Sequence, residues 1–268
     1  MNDRIIQTGD TADSRIPIVI MGALARGNTE LALAIHEQLA VDFNSVDSAL
    51  VYRGMDIGTA KPDAQTLSKA PHHLIDIIDP AEVYSAGQFR EDAMRLMKQS
   101  ADNQCTALLV GGTMLYFNTL QKGMADMPAV DESVKQAIEL EVKTKGILAM
   151  HERLKKIDPV SAERIHPNDP QRIKRALELY DFTGKPVTEF WREQEQNSGT
   201  SSFPYRRIKI ALMPDDRVEL RKRITLRLDN MLKQGFIEEV EALFSRDDLQ
   251  PEMPSIRDVG YRQVCGYL

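Results

Sequence analysis

The 268-residue chain is poor in cysteine and aromatics, with two cysteines, Cys105 and Cys265, one tryptophan and 6% aromatic residues. Two cysteines cannot build a disulfide framework or a cysteine-rich zinc site, so a reducing, cytoplasmic compartment is expected. The five histidines (His36, His72, His73, His151 and His166) show no paired metal spacing, and no structural metal is assigned. Long hydrophobic runs are also missing. The longest, Ile16 to Ala25, is interrupted by Pro17 and Gly22 and is far too short to cross a bilayer. Residues 1–15 are polar and mixed in charge, lack the apolar centre of a signal peptide, and read as a disordered tail. Secretion and membrane insertion are therefore not expected. Nor is there a surplus of positive charge: 34 Lys and Arg face 40 Asp and Glu, a net charge of −6, which argues against a nucleic-acid binder.

That average hides an asymmetry. Residues 151–227 hold 17 basic against 12 acidic side chains, so a locally basic segment sits inside an acidic chain. Such a segment suits a polyanionic partner at one face, although charge alone equally describes solvated helices. With 42% apolar and 28% charged residues, the length provides a sizeable core, as one large domain with an insertion or as two domains. The 12 methionines read as core packing.

The pattern along the chain is α/β. Ile16 to Met21 is a β-branched run ending at a glycine, hence a buried strand. Leu31, Ile35 and Leu39 then recur at helical spacing, as do Phe89, Ala93 and Leu96. Cys105 to Val110 is a second buried strand closed by Gly111-Gly112. This alternation predicts a parallel sheet. From Asp131 to Tyr180 the pattern turns helical and charged, broken at Asp158-Pro159 and between His166 and Pro170. Gln194 to Ser202 is expected to be a loop back to a returning strand at Ile208–Leu212, with an amphipathic helix pair from Arg221 to Phe244 bent at Gln234-Gly235. The predicted organisation is a tail (1–15), an α/β core (16–122 and 203–268) and a helical insertion (123–202).

Three places carry residues suited to chemistry. After the first strand, Gly22-Ala23-Leu24-Ala25-Arg26-Gly27-Asn28-Thr29 has the frame of a phosphate-binding loop, whose amides and helix N-terminus attract an anion and whose Thr29 offers a hydroxyl to Mg²⁺. The expected lysine is absent, with Asn28 in its place, and taken alone the segment also fits a plain strand–helix turn. Asp47 ends an apolar–polar alternation at a strand's carboxyl edge, where open α/β sheets bind ligands, and can act as a general base or as a helix cap. Thr113, after Gly111-Gly112, falls at the same edge.

Longer blocks carry a resemblance. Val46 through Pro62, Pro71 through Asp76, Gly111 through Phe117, Arg164 through Arg172, Pro254 through Arg257 and Val259 through Gln263 resemble, in order, the signature segments of bacterial tRNA dimethylallyltransferases. The resemblance covers nearly the whole chain from Ile16 onward. It implies a P-loop kinase-like parallel sheet with a helical insertion domain. The implied activity transfers a dimethylallyl group from dimethylallyl diphosphate, with Mg²⁺, to the exocyclic amine of the adenine 3′ of the anticodon. It further implies Asp47 as the base and Thr113 as the group orienting the amine or the leaving group. Gly22, Ala25, Gly27, Thr29 and Arg227 would hold the diphosphate. Asp47, Ser48, Ala49, Leu50, Gln171, Arg172, Lys174, Arg175, Arg257, Gly260, Tyr261 and Arg262 would contact the tRNA anticodon stem-loop. A monomer is expected. Arg223, four residues before Arg227, can share its helix face.

The chain departs from that pattern at Ala23, Leu24, Arg26 and Asn28, where the family loop reads Gly-Pro-Thr-Ala-Ser-Gly-Lys-Thr. Losing a lysine–phosphate contact should cost roughly 1.5–3 kcal/mol, at least a tenfold deficit, so donor binding is expected to be impaired and turnover weak or absent. Arg26 offers a second cation but from a different vector. The family also continues past the position of Leu268 into a basic segment that helps hold tRNA, so weaker phosphate contacts are expected here. Two other readings stay open: a tRNA-binding protein without turnover, and a P-loop small-molecule kinase, for which nothing downstream of the loop is specific.

Overall fold

The computed structural model describes residues 16–22, 27–125, 127–201, 203–213 and 216–268. The chain divides into two compact units, one formed by residues 1–121 and 204–268 and the other by residues 122–203. The expected tail lies outside the described residues.

The first unit is built on a parallel sheet, two of whose strands are nearly continuous apolar runs. β1 (Ile18–Gly22) is buried along almost its whole length and leads to α1 (Asn28–His36). Next come β2 (Val41–Ser45), the short α2 (Ala64–Lys69), β3 (His72–His73), α3 (Ala86–Asp102), β4 (Thr106–Gly111) and α4 (Met114–Lys122). All strand pairings are parallel, and the five-stranded sheet runs β3-β2-β4-β1 with the returning strand on the outer side of β1. Parallel strands covered on both faces read as continuous apolar runs, which is why Ile18–Met21 and Ala107–Val110 were legible. α3 starts at Ser85, whose hydroxyl accepts the Gln88 amide while the Gln88 side chain accepts the Ser85 amide, a reciprocal cap.

The second unit is all helical: α5 (Glu132–Lys145), α6 (Ile147–Ile157), α7 (Pro159–Arg164), α8 (Pro170–Thr183) and α9 (Val187–Ser201). Both breaks expected from proline are helix starts, with Asp158 and Asp169 accepting a backbone amide and proline in the first turn. Ile138, Met150, Leu154, Ile173, Leu177 and Phe190 belong to its core. The loop expected at Gln194–Ser202 is corrected: α9 runs on to Ser201, and Ser202 lies outside the described residues. The run Glu193 to Gln196 consists of good helix formers, whose propensity outweighs the Ser and Gly that follow.

The chain then returns to the sheet as β5 (Ile208–Leu212), an edge strand beside β1. α10 (Arg217–Lys233) and α11 (Phe236–Phe244) follow, separated at Gly235, and α12 (Tyr261–Cys265) ends the chain. A second apolar cluster of this unit, with Met55, Phe236, Val240, Ile256 and Tyr261, packs α11 and α12 against the segment after β2.

Candidate active site

Parallel strands put all their carboxyl ends on one edge, and the chemistry-bearing residues gather there. A cavity of about 580 Å³ is lined from β1 and α1 by Gly22, Gly27, Asn28, Thr29 and Glu30, and from the segment after β2 by Asp47, Leu50, Thr59 and Ala60. The end of β4 adds Val110, Gly111 and Gly112, and α10 adds Arg223 and Arg227.

The α1 wall presents the backbone amides of a helix start. Gly27 holds the left-handed conformation (φ 81°) that turns the chain into the helix, and no side chain caps it. The first-turn amides are therefore unspent on capping, and the helix dipole adds positive potential. Asn28 does not extend from this wall as a lysine would. Its Nδ2 donates to the Gly22 carbonyl at 2.8 Å, bridging the two ends of the loop.

Asp47 stands two residues beyond β2. Its Oδ1 accepts the amides of Ala49 (2.9 Å) and Leu50 (3.4 Å), which fixes the carboxylate, while Oδ2 takes no hydrogen bond from a described residue. The Thr113 hydroxyl accepts the Ser48 amide at 3.0 Å and lies 3.2 Å from the Ser48 hydroxyl, so β2 and β4 are tied together just past their ends. Thr113 sits beside the cavity-lining Gly111 and Gly112 without lining it itself.

Arg227 faces Asp47 and donates to the Thr59 carbonyl at 3.5 Å; it pairs with no carboxylate among the described residues. Burial lowers its pKa and the Asp47 charge opposes that shift. Asp47 also acts on buried Tyr116 and half-buried Asp258. Tyr116 is held above the ordinary phenol range by burial, then by Tyr52 and Asp47, and Asp258 is pushed up to about 6 by burial and by Asp47.

The loop carrying Thr59 and Ala60 is pinned from two directions. Glu239 of α11 accepts the consecutive amides of Asp56 (2.9 Å), Ile57 (2.8 Å) and Gly58 (3.1 Å) as well as the Tyr261 hydroxyl. Lys61, only 5% exposed, donates to the Tyr52 carbonyl (2.9 Å), to Asp56 (2.6 Å) and to Asp76. The Glu239 anchor was not legible in the sequence, because Glu239 lies more than 180 residues from its amides.

Of the expected diphosphate group, Gly22, Gly27, Thr29 and Arg227 share the cavity with Asp47, while Ala25 lies outside the described residues together with Ala23, Leu24 and Arg26. Glu30, Thr59, Ala60 and Arg223 line it without having been assigned; all but Glu30 and Arg223 fall inside the quoted signature block, the signal that could have found them. Among the expected tRNA contacts, Ser48, Arg257 and Arg262 are exposed, Leu50 and Gly260 are half-buried, and Ala49 is buried. The Tyr261 ring is fully buried against Phe236, with its hydroxyl on Glu239. On α8 of the helical unit, Gln171 and Arg172 are exposed, Lys174 is paired with Glu139 at 2.7 Å, and Arg175 donates to the Pro128 carbonyl at 3.4 Å.

No group of three or more His, Cys, Asp or Glu suited to a metal exists among the described residues. Thr29 and Asp47 on one cavity nevertheless fit Mg²⁺, which needs one or two protein oxygens when phosphates and water complete its octahedron. No helix among the described residues is long and apolar enough to cross a membrane.

A parallel sheet with an uncapped helix N-terminus, a fixed carboxylate and, among the described residues, an arginine paired with no carboxylate at its carboxyl edge has the P-loop kinase-like fold. The IPP transferase family model matches residues 50–268, and the chain belongs to that family. It is 52% identical over 260 residues to tRNA dimethylallyltransferase 2 of Hahella chejuensis, covering 94% of this chain and 78% of that one. It is likewise 52% identical over 251 residues to tRNA dimethylallyltransferase of Thioalkalivibrio sulfidiphilus, covering 94% and 77%. Among solved structures, the full-length tRNA isopentenylpyrophosphate transferase from Bacillus halodurans matches with a TM-score of 0.62 and 34% identity over 94% of this chain and 77% of that one. A eukaryotic dimethylallyltransferase acting on tRNA matches with a TM-score of 0.76 and 25% identity over 95% and 63%.

Proposed function

We propose that this chain transfers a dimethylallyl group from dimethylallyl diphosphate to the exocyclic amine of the adenine 3′ of a tRNA anticodon. One observation carries the reading: the unspent Oδ2 of Asp47 and the amide-lined start of α1 open on the same cavity. In the reaction the carbon–oxygen bond to diphosphate breaks, with the electron pair leaving on oxygen. A carbon–nitrogen bond to the amine forms, and the amine loses a proton. The developing diphosphate charge is stabilised by the α1 amides and by Arg227. The amine's proton passes to Asp47, whose carboxylate is already oriented by the Ala49 and Leu50 amides. Mg²⁺, held through Thr29, would add charge neutralisation on the diphosphate oxygens. Thr113, tied to Ser48, sets the adjoining wall.

The adenine must leave its stack to reach this cavity, a cost of a few kcal/mol that contacts to the anticodon stem-loop repay. Arg257 and Arg262, both exposed, and the α8 residues Gln171, Arg172, Lys174 and Arg175 are our candidates for those contacts, where cations position phosphates. Asn28, bonded to the Gly22 carbonyl, supplies no cation, so donor binding is weaker than with a lysine there.

The test incubates the protein with unmodified tRNA, labelled dimethylallyl diphosphate and Mg²⁺ and counts label in tRNA. Label transfer is expected, and Asp47→Ala should abolish it while tRNA affinity changes by no more than a few-fold. Tight tRNA binding with no label transferred would show a binding protein instead, and a large affinity loss in Asp47→Ala would make Asp47 a structural residue.

A further inference from the structure

The cavity needs positive charge, and the loop does not provide it at position 28. The Asn28 amide is spent on the Gly22 carbonyl, and its Oδ1 is buried against the Gly22 Cα, where an added Cβ would overlap it. Among the described residues that line the cavity, the cations are Arg223 and Arg227, one turn apart on α10. A second cavity, of about 820 Å³, meets the first along that helix and is also lined by both arginines. The cation nearest to hand there, Lys61, has its three N–H groups spent on Tyr52, Asp56 and Asp76. Arg223 is bound only lightly: its partner Glu219, at 3.3 Å on the same helix, is more than half exposed, as Arg223 is. An exposed pair of that kind contributes little and leaves the guanidinium free to turn.

From these observations we propose that Arg223, together with Arg227, supplies the cationic side of the diphosphate grip that a lysine at position 28 would give. The inference rests on the transfer reading above but concerns which residues hold the anion. Two guanidinium groups on one helix face give planar, two-pronged donors, so the diphosphate is held across its oxygens between α10 and the α1 amides.

The test measures binding of inorganic pyrophosphate, with Mg²⁺, to the full chain by titration calorimetry. Arg223 is exposed on a helix, so Arg223→Gln should keep the wild-type melting temperature while weakening binding at least fivefold, and Arg223→Lys should recover most of the loss. Asn28→Lys should tighten binding severalfold, and in that background Arg223→Gln should cost less than twofold, because the new ammonium replaces the lost charge. Wild-type affinity in Arg223→Gln, an equal loss in both backgrounds, or no pyrophosphate binding by the wild type would each overturn the inference. Arg223→Gln with undiminished pyrophosphate affinity and normal label transfer sinks only this assignment. Pyrophosphate binding that depends on Arg223 with no label reaching tRNA sinks only the transfer reading.

Discussion

At the residue scale the site is governed by how few charges it contains and how each is constrained. Asp47 is oriented by two amides of its own turn, and its charge reaches Arg227, Tyr116 and Asp258. Asp258 offers a direct probe. Burial, helped by Asp47, pushes its carboxyl up to about 6, whereas in the unfolded chain it titrates at about 3.9. Between those values the folded protein retains a proton that the unfolded chain has lost, so stability falls as pH rises through that window and the penalty persists above it. Asp258→Asn should accordingly melt higher than the wild type at pH 7 to 8 and no higher below about pH 4. Melting curves across pH check this, and a difference that does not vary with pH would contradict it. Asp47 was legible because its type and place at a strand end have a chemical reason. Asp258 was not, because its shift comes from burial by neighbours remote in sequence.

At the scale of elements, the loop between β2 and α2 shows how distant helices shape a site. Three successive amides form a concave nest that would suit an anion, and here Glu239 of α11 fills it permanently. Filling it fixes Thr59 and Ala60, which line the cavity, and with them the carbonyl that Arg227 contacts. Glu239→Gln places an amide group against those donors and loses bonds to a charged acceptor, each worth about 1.5–3 kcal/mol. The melting temperature should fall by several degrees, at about 2–4 °C per kcal/mol for a protein of this size. An unchanged melting temperature would show that the nest does not depend on the charge. The sheet was readable from β-branched runs buried on both faces, and the helix starts at Asp158 and Asp169 from their prolines. β3 was not, since two residues carry no period, and α9 was cut short because Ser and Gly were weighed above the helix formers before them.

At the scale of the whole molecule, the basic stretch that stood out in the sequence is partly neutralised within itself and its unit. Arg153 pairs with Asp181, Lys174 with Glu139, and Lys185 with Glu193. Arg172 also pairs with Asp169 at 3.4 Å, so the positive potential of the stretch is smaller than the raw count suggests. The stretch also crosses from one compact unit to the other, which composition alone cannot reveal.

The junction between those units has a consequence of its own. Gln121, the last residue of the sheet unit before the chain departs, accepts from Lys209 (2.6 Å) and Arg207 (3.4 Å) just after it comes back. The end of α4 and the start of β5 are thus tied together within the sheet unit, so the points at which the chain leaves and re-enters that unit are neighbours. The segment between them is excisable: a few glycines and serines in place of residues 122–203 should leave a protein that still melts cooperatively in calorimetry. Loss of a cooperative transition would mean that the sheet leans on its guest.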